Sequence, residues 1–153
     1  ASAVFRAGTT GAQLDALTRR PLKEIGLDYN HGTGHGVGHI LCVHEGPQLI
    51  SPKGTEHTFS PGITTSDEPG DYLEGKYGIR LENELLCVDK EGGTYGFEPL
   101  TVCPWEPEAI LVEKLTEAEK QWLNDYHAAV YEKLSPYLEE EIRLWLKEET
   151  RPI

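Results

Sequence analysis

The chain has 153 residues, of which 38% are hydrophobic and 26% charged, and it carries a formal net charge of −12 at pH 7. This length suffices to bury one core with a small appendage. The negative charge argues against nucleic acids and anionic membranes as partners, and no apolar run approaches the ~20 residues of a membrane span. No signal peptide opens the chain, so we expect a cytoplasmic protein.

A helix is the first element that the pattern predicts. It can be capped by Thr10 and runs to about Arg20. Pro21 kinks or ends it before Ile25, because proline lacks the amide proton of a helical hydrogen bond. The apolar face of this helix consists of Leu14 and Leu17.

Three histidines then lie in one glycine-rich stretch, His31-Gly-Thr-Gly-His35-Gly-Val-Gly-His39, and a fourth, His44, follows it. Each glycine costs a helix roughly 1 kcal/mol relative to alanine, so the segment is predicted to be extended. In a strand, His31, His35 and His39 share one face, and the glycines on the other face let a backbone or substrate approach closely. His44 reaches the histidine face only if a turn or bulge forms around Leu41 to Val43.

Two glutamates follow in predicted strands. Glu68 precedes a proline and stands at the tip of a strand rich in β-branched residues. Glu82 lies in the alternating segment 78–88, whose polar face also carries Arg80 and Glu84. The apolar face of that segment consists of Ile79, Leu81, Leu85 and Cys87. For Glu84, a position on a solvated strand edge is the favoured interpretation. For Glu82, a solvated edge and a functional role are equally favoured.

Imidazole nitrogens and carboxylate oxygens together are the ligands of hydrolytic divalent-metal sites, where the ion acidifies a water and polarises a carbonyl. A lone histidine is more often a surface or core residue than a ligand. A zinc helix of the type His-Glu-x-x-His is excluded, because Gly-Thr-Gly separates His31 from His35. The combination of these histidines with Glu68 and Glu82 indicates a metal site.

The chain resembles the metallopeptidases of the pita-bread fold in three sequence segments, 28–47, 67–70 and 80–83. It is most similar to the Xaa-Pro aminopeptidases (aminopeptidase P), in their long cytosolic branch. Segments 97–101 and 145–153 resemble the C-terminal region of that branch, so the resemblance covers nearly the whole chain. It implies an α+β fold, with a curved, mostly antiparallel sheet, helices and a C-terminal helical extension.

The resemblance also implies a domain division. Residues 1–104 correspond to the C-terminal part of the pita-bread catalytic domain, and residues 105–153 to the helical extension. Thr116 and Glu119 form a capping box for one helix, and Ser135-Pro136 opens another. The apolar face of that second helix consists of Leu138, Ile142 and Trp145. In the family's long branch such an extension contributes to dimer contacts, which implies a homodimer; simple packing against the parent domain is the alternative.

Each site residue receives a role from the resemblance. His35, Glu68 and Glu82 fall on metal ligands. Glu68 also sits beside the attacking water, and Glu82 bridges two ions. His31 and His44 line the substrate site and, with Glu68, form the catalytic set that handles the scissile amide and its protons.

Other polar residues are placed around this set. Arg80 shares the strand face of Glu82 and is expected to orient a carboxylate ligand, with Tyr72 a weaker candidate for the same support. His39, His57 and His127 match no functional position and are interpreted as structural. The implied cofactor is a pair of divalent metal ions; manganese suits oxygen-rich coordination, with zinc and cobalt as alternatives.

One departure from the family pattern changes the expectation. The family has two aspartate ligands ahead of the histidine motif, and here only Asp15 and Asp28 precede His31. The chain also begins without methionine, so we interpret it as the C-terminal piece of a larger protein. The isolated chain is expected to hold one ion weakly or none, and to have little peptidase activity.

For the intact protein, the resemblance implies removal of the N-terminal residue from peptides with proline in second position. Three alternatives stay open. They are a non-catalytic peptide- or protein-binding module, an Xaa-Pro dipeptidase (prolidase), and a methionine aminopeptidase.

Overall fold

The computed structural model describes residues 1–40 and 42–153, which divide into two compact units, Ala1–Thr101 and Val102–Ile153. The first unit is built mainly from short strands and the second from helices. Among these residues, no helix is both long enough and apolar enough to cross a membrane.

Helix α1 of the first unit spans Gly11–Glu24, with Thr10 at its N-cap, where the Thr10 amide donates to Gln13 Oε1 (2.9 Å). It extends beyond the predicted end and contains Pro21. That proline lies on the exposed face, where water can satisfy the carbonyl that loses its helical partner. Leu14 is buried, but Leu17 is 50% exposed, so the apolar face is narrower than predicted.

Eight strands are described in the first unit. They are β1 (Phe5–Arg6), β2 (Gly34–His35), β3 (Leu49–Ile50), β4 (Thr64–Asp67), β5 (Gly70–Leu73), β6 (Tyr77–Arg80), β7 (Asn83–Lys90) and β8 (Thr94–Pro99). A four-stranded sheet has the order β1-β8-β7-β4, while β2 pairs with β3 and β5 with β6. All of these pairs are antiparallel.

The core of this unit lies against the four-stranded sheet. Its buried members are Phe5, Leu14, Ile50, Phe59 and Cys87. The predicted continuous strand 78–88 is wrong, since β6 pairs in a hairpin with β5 whereas β7 joins the larger sheet. Alternation therefore buries Leu85 and Cys87 on β7, but Ile79 and Leu81 are 57% and 49% exposed.

The second unit begins with three-residue 3₁₀ turns at Pro107–Ala109 and Val112–Lys114, followed by helix α2, Glu117–Leu134. The predicted capping box is confirmed. The Thr116 amide donates to Glu119 Oε2 (2.8 Å), and the Glu119 amide donates to Thr116 Oγ1 (3.3 Å).

Helix α3 spans Glu140–Glu149, and Ser135–Tyr137 before it forms a 3₁₀ turn. The helix thus begins later than predicted, and Leu138 lies outside it. Leu146 is buried, whereas Ile142 and Trp145 are 47% and 55% exposed. The predicted apolar face of this helix is wrong for these two residues.

An aromatic cluster fills the core of the second unit. Trp122 and Tyr126 stack with ring centroids 5.7 Å apart. His127 is fully buried beside them, and its Nε2 accepts a hydrogen bond from the Trp105 amide (3.1 Å). The contacts of His127 therefore agree with its interpretation as a structural residue.

Candidate metal centre

Strand β2 carries His35 against the end of β4. The His35 amide donates to Ser66 Oγ (3.0 Å), and the His35 carbonyl accepts from Thr65 Oγ1 (3.2 Å). A Cβ at Gly34 would lie 1.9 Å from the Ser66 carbonyl oxygen, so this approach requires glycine. The predicted close approach at the glycine face is thus present at Gly34.

His35 and Glu68 meet directly. His35 Nε2 lies 3.0 Å from Glu68 Oε1, and both side chains are largely buried. His35 Nδ1 lies 2.9 Å from the Gly36 carbonyl, which can only accept a hydrogen bond, so Nδ1 carries a proton. With the Nδ1 proton committed to Gly36, Nε2 is the nitrogen left to bind an ion, as in metal-binding histidines. Without an ion, the 3.0 Å contact with Glu68 requires a proton on Nε2.

Glu82 joins this pair through Arg80. Arg80 Nε lies 3.0 Å from Glu82 Oε2 and 3.8 Å from Glu68 Oε2. Hydrogen bonds to Tyr72 and Glu82 hold the pKa of Arg80 above its ordinary value. The guanidinium thus stays charged between the two carboxylates and offsets part of their repulsion.

His31 lies at the other end of the same set of contacts. Its Nδ1 is 2.7 Å from the Gly32 carbonyl, and its Nε2 is 2.7 Å from the Tyr72 hydroxyl. Because the carbonyl requires a proton on Nδ1, Nε2 of neutral His31 accepts a hydrogen bond from the Tyr72 hydroxyl. Tyr72 therefore links His31 to Arg80.

His44 is exposed, yet its ring centroid lies 4.2 Å from that of His35. The chain returns toward the strand through the Glu45 amide, which donates to the Gly36 carbonyl (2.8 Å). The predicted turn around Leu41 to Val43 includes Leu41, which lies outside the described residues. His39 and His57 are exposed.

Glu84 was interpreted as part of a solvated strand edge, and that interpretation is wrong. Its Oε1 is buried and has no hydrogen-bond partner among the residues that the structure describes, and this burial raises the pKa of the Glu84 carboxyl. Glu84 stands opposite Ser66 in the β4–β7 register, so both side chains lie on the face that carries the site. Its position two residues after Glu82, on the same face of the predicted strand, was the available signal.

A buried arginine that the sequence did not single out supports His31. Arg19 is 3% exposed and donates to Asp15 Oδ2 (2.8 Å), Asp28 Oδ1 (2.7 Å) and the carbonyls of Tyr29 and His31 (both 2.6 Å). Burial opposes its charge, but the two aspartates keep the pKa of Arg19 above its ordinary value. Asp15 and Asp28 thus anchor Arg19, which agrees with their mismatch to the family's aspartate ligands.

The donor set fits a divalent ion. His35 Nε2 and Glu68 are in direct contact, whereas Glu82 is connected to Glu68 only through Arg80. The charges of Glu68 and Glu82 act on the neighbouring Glu84 carboxyl, and Arg80 supplies a single positive charge against the three carboxylates. A divalent cation among these donors would offset their repulsion.

A tighter acidic group lies in the second unit. Among the residues that the structure describes, only Glu106, Glu108 and Glu149 bring three such ligand atoms within 4.8 Å of one another. Hydrogen bonds from Glu106 and Arg151 lower the pKa of Glu108 to about 2, and two of the three carboxylates are exposed. Glu108 is held by Arg151 (2.6 Å) and by Glu106, so surface hydrogen bonds account for this group.

The fold is that of the pita-bread proteins, and the family models identify a metallopeptidase. The model of metallopeptidase family M24 matches residues 1–89, and the model of the C-terminal region of peptidase M24 matches residues 93–153. The chain belongs to metallopeptidase family M24.

Curated relatives match along almost all of the chain. A probable Xaa-Pro aminopeptidase P of Coprinopsis cinerea is 47% identical over 99% of the chain and 26% of the relative. Aminopeptidase P1 of Arabidopsis thaliana is 43% identical over 99% of the chain and 25% of the relative. The chain therefore spans about a quarter of the length of these relatives.

Solved structures confirm the predicted fold. An X-prolyl aminopeptidase of Caenorhabditis elegans, described as a cytosolic enzyme with a di-nuclear active site, covers the whole chain at a TM-score of 0.92 and 40% identity. The chain covers 26% of that structure. A prolidase of Pyrococcus furiosus covers 63% of the chain at a TM-score of 0.54 and 33% identity, and 27% of its own chain is covered.

Proposed function

We propose that this chain forms part of a metal-dependent Xaa-Pro aminopeptidase, which removes the N-terminal residue from peptides with proline in second position. The observation that carries the proposal is the 3.0 Å contact of His35 Nε2 with Glu68 Oε1, while Nδ1 of the same ring is committed to Gly36. Relatives named Xaa-Pro aminopeptidase P support the substrate class.

We assign residues 1–104 to the catalytic domain and residues 105–153 to the helical extension. The C. elegans structure matches both parts, whereas the prolidase matches 63% of the chain. Relatives named probable Xaa-Pro aminopeptidase P, which match 99% of the chain, favour an aminopeptidase over a dipeptidase.

In the longer protein, His35, Glu68 and Glu82 would hold two divalent ions together with ligands from outside this chain. When bound, the ions supply an acidified water and a polarised carbonyl. Glu68 accepts the proton of the nucleophile, since its carboxylate lies in the site and is positioned by hydrogen bonds. Arg80 and Tyr72 orient the carboxylates and His31.

His31 and His44 handle the substrate. A neutral imidazole has one nitrogen that donates a hydrogen bond and one that accepts, so each ring can bind the substrate amide in either sense. His31 already accepts a hydrogen bond from the Tyr72 hydroxyl, so Tyr72 orients the His31 ring in the substrate site. His44 stands beside His35 and can hold the leaving proline nitrogen.

Further assignments belong to the same proposal. Manganese is the metal that best suits an oxygen-rich donor set, with zinc and cobalt as alternatives. The description of the C. elegans relative as a cytosolic di-nuclear enzyme supports two ions and a cytoplasmic location. A homodimer through the helical extension is also proposed, and the exposed side chains of Ile142 and Trp145 are available for it.

Hydrolysis of matched peptides by the longer protein that contains this chain tests the proposal. A tripeptide with proline in second position should lose its N-terminal residue once Mn²⁺ is added, and the same peptide with alanine there should not. Cleavage of Xaa-Pro dipeptides alone would identify a dipeptidase. Binding of the tripeptide without cleavage at any metal concentration would identify a binding module.

A further inference from the structure

Ser66 lies within β4 and is 2% exposed. Its hydroxyl has two partners that belong to different parts of the site. It accepts from the His35 amide (3.0 Å) and donates to Glu68 Oε1 (3.0 Å). One buried side chain therefore contacts the backbone of one proposed ligand and the carboxylate of another.

The direction of these two hydrogen bonds is fixed by the backbone. An amide N–H can only donate, so Ser66 Oγ accepts from His35. The hydroxyl proton is then left for the carboxylate, which can only accept when ionised. The hydroxyl thus has a single consistent arrangement, and rotation away from Glu68 would leave a buried carboxylate oxygen with one partner fewer.

We propose that Ser66 is a positioning residue of the metal centre, which sets the separation of His35 Nε2 and Glu68 Oε1 before any ion binds. This inference rests on the proposed function, because it takes His35 and Glu68 as ligands. Outer-shell hydrogen bonds of this kind typically contribute ~10–100-fold to metal affinity.

Thr65 provides a matched control on the same strand. Its hydroxyl is fully buried and donates to the carbonyls of His35 and Ser66 (both 3.2 Å). It therefore fastens the same pair of strands but contacts no ligand side chain. If both hydroxyls serve strand packing alone, removing either should change metal affinity equally. If Ser66 positions a ligand, its removal should weaken metal binding more than removal of the Thr65 hydroxyl.

The experiment measures Mn²⁺ affinity by titration calorimetry in the longer protein, together with thermal unfolding of the metal-free form. Ser66→Ala should weaken Mn²⁺ binding by about tenfold or more. Thr65→Val should keep the affinity within about twofold of the parent protein, although both variants lose a buried hydrogen bond and unfold at lower temperature. Ser66→Thr, which keeps the hydroxyl, should bind like the parent.

A second pair covers the case in which Ser66→Ala does not fold. Ser66→Thr and Ser66→Val have nearly the same shape and differ in the hydroxyl, so steric strain is matched. Equal Mn²⁺ affinity in this pair, or equal losses in Ser66→Ala and Thr65→Val, would overturn the inference while leaving the ligand assignment intact. Absence of Mn²⁺, Zn²⁺ and Co²⁺ binding by the parent would instead overturn the proposed function and the inference with it.

Discussion

His35 and His44 lie side by side, with ring centroids 4.2 Å apart, yet the protein holds them in different ways. His35 sits in a paired strand, and both its amide and its carbonyl bond to side chains of β4. His44 belongs to an exposed segment outside the strands. The comparison indicates that the proposed ligand is fixed by main-chain pairing, whereas the proposed substrate residue is less constrained.

The largest effect is expected from removal of the fixed ligand. His35→Ala in the longer protein should abolish metal occupancy, beyond the ~10–100-fold loss typical of outer-shell partners. Metal content after dialysis, measured by plasma emission, checks this. His39→Ala is the control, because His39 is exposed in the same motif and should retain full metal content. Normal metal content in His35→Ala would refute the ligand assignment.

The next largest effect is expected on stability, from removal of the buried Arg19 guanidinium that donates to the His31 carbonyl. Arg19→Met leaves the Asp15 carboxylate, 3% exposed, without its guanidinium partner. We expect a loss of about 3–5 kcal/mol in the free energy of unfolding, the usual result of breaking a buried ion pair. Urea unfolding measures it. Arg20→Met removes an exposed ion pair on the same helix and should change stability little; equal losses would contradict the prediction.

Removal of the less constrained histidine should separate chemistry from metal binding. His44→Ala is expected to lower kcat by about 100-fold, at the lower end of what a positioned acid or base contributes, and to leave metal content unchanged. Steady-state kinetics with a proline tripeptide, run beside metal analysis, gives both quantities. Loss of metal in this variant would mean that His44 also supports the ligand His35, which would contradict the difference proposed between the two histidines.

The smallest effect is a pH dependence in the second unit. Burial lowers the pKa of His127, so the folded state binds its proton more weakly than the unfolded state. Stability is therefore full above the ordinary histidine pKa of about 6.5 and falls as the pH drops below it, by at most ~1.4 kcal/mol per pH unit.

Urea unfolding followed by tryptophan fluorescence between about pH 7 and pH 5 measures this dependence, since Trp105 bonds to His127. His127→Gln removes the titrating group. The slope should flatten in that variant relative to the parent, and an unchanged slope would show that other groups cause it.

Local motifs predicted part of this molecule well. The capping box of Thr116 and Glu119 is confirmed because all of its partners lie within one turn. The family and the pita-bread fold, which rested on the spacing of whole motifs, are also confirmed. The roles of His31, His44 and the three ligands stay predictions.

Other features depend on pairing that no local pattern encodes. The start of α3 and the exposure of Ile79 and Leu81 were mispredicted, because periodicity does not say where a turn tightens or which strand becomes a partner. Ser66 bonds to His35, which is 31 residues away in the chain, and Arg19 bonds to the backbone carbonyl of His31. Neither kind of contact leaves a pattern in the sequence. Side chains that support a site are for this reason harder to find than its ligands.

Gly34 shows how a motif can be misread in other proteins. With a Cβ 1.9 Å from the Ser66 oxygen, even alanine would force two neighbouring strands apart and carry the imidazole away from its carboxylate. Substitutions at this position would therefore measure how much extra volume fits between the backbones of β2 and β4. If related proteins keep such a glycine, the reason is the distance that it allows between the donor atoms, and chain flexibility is not needed to explain it.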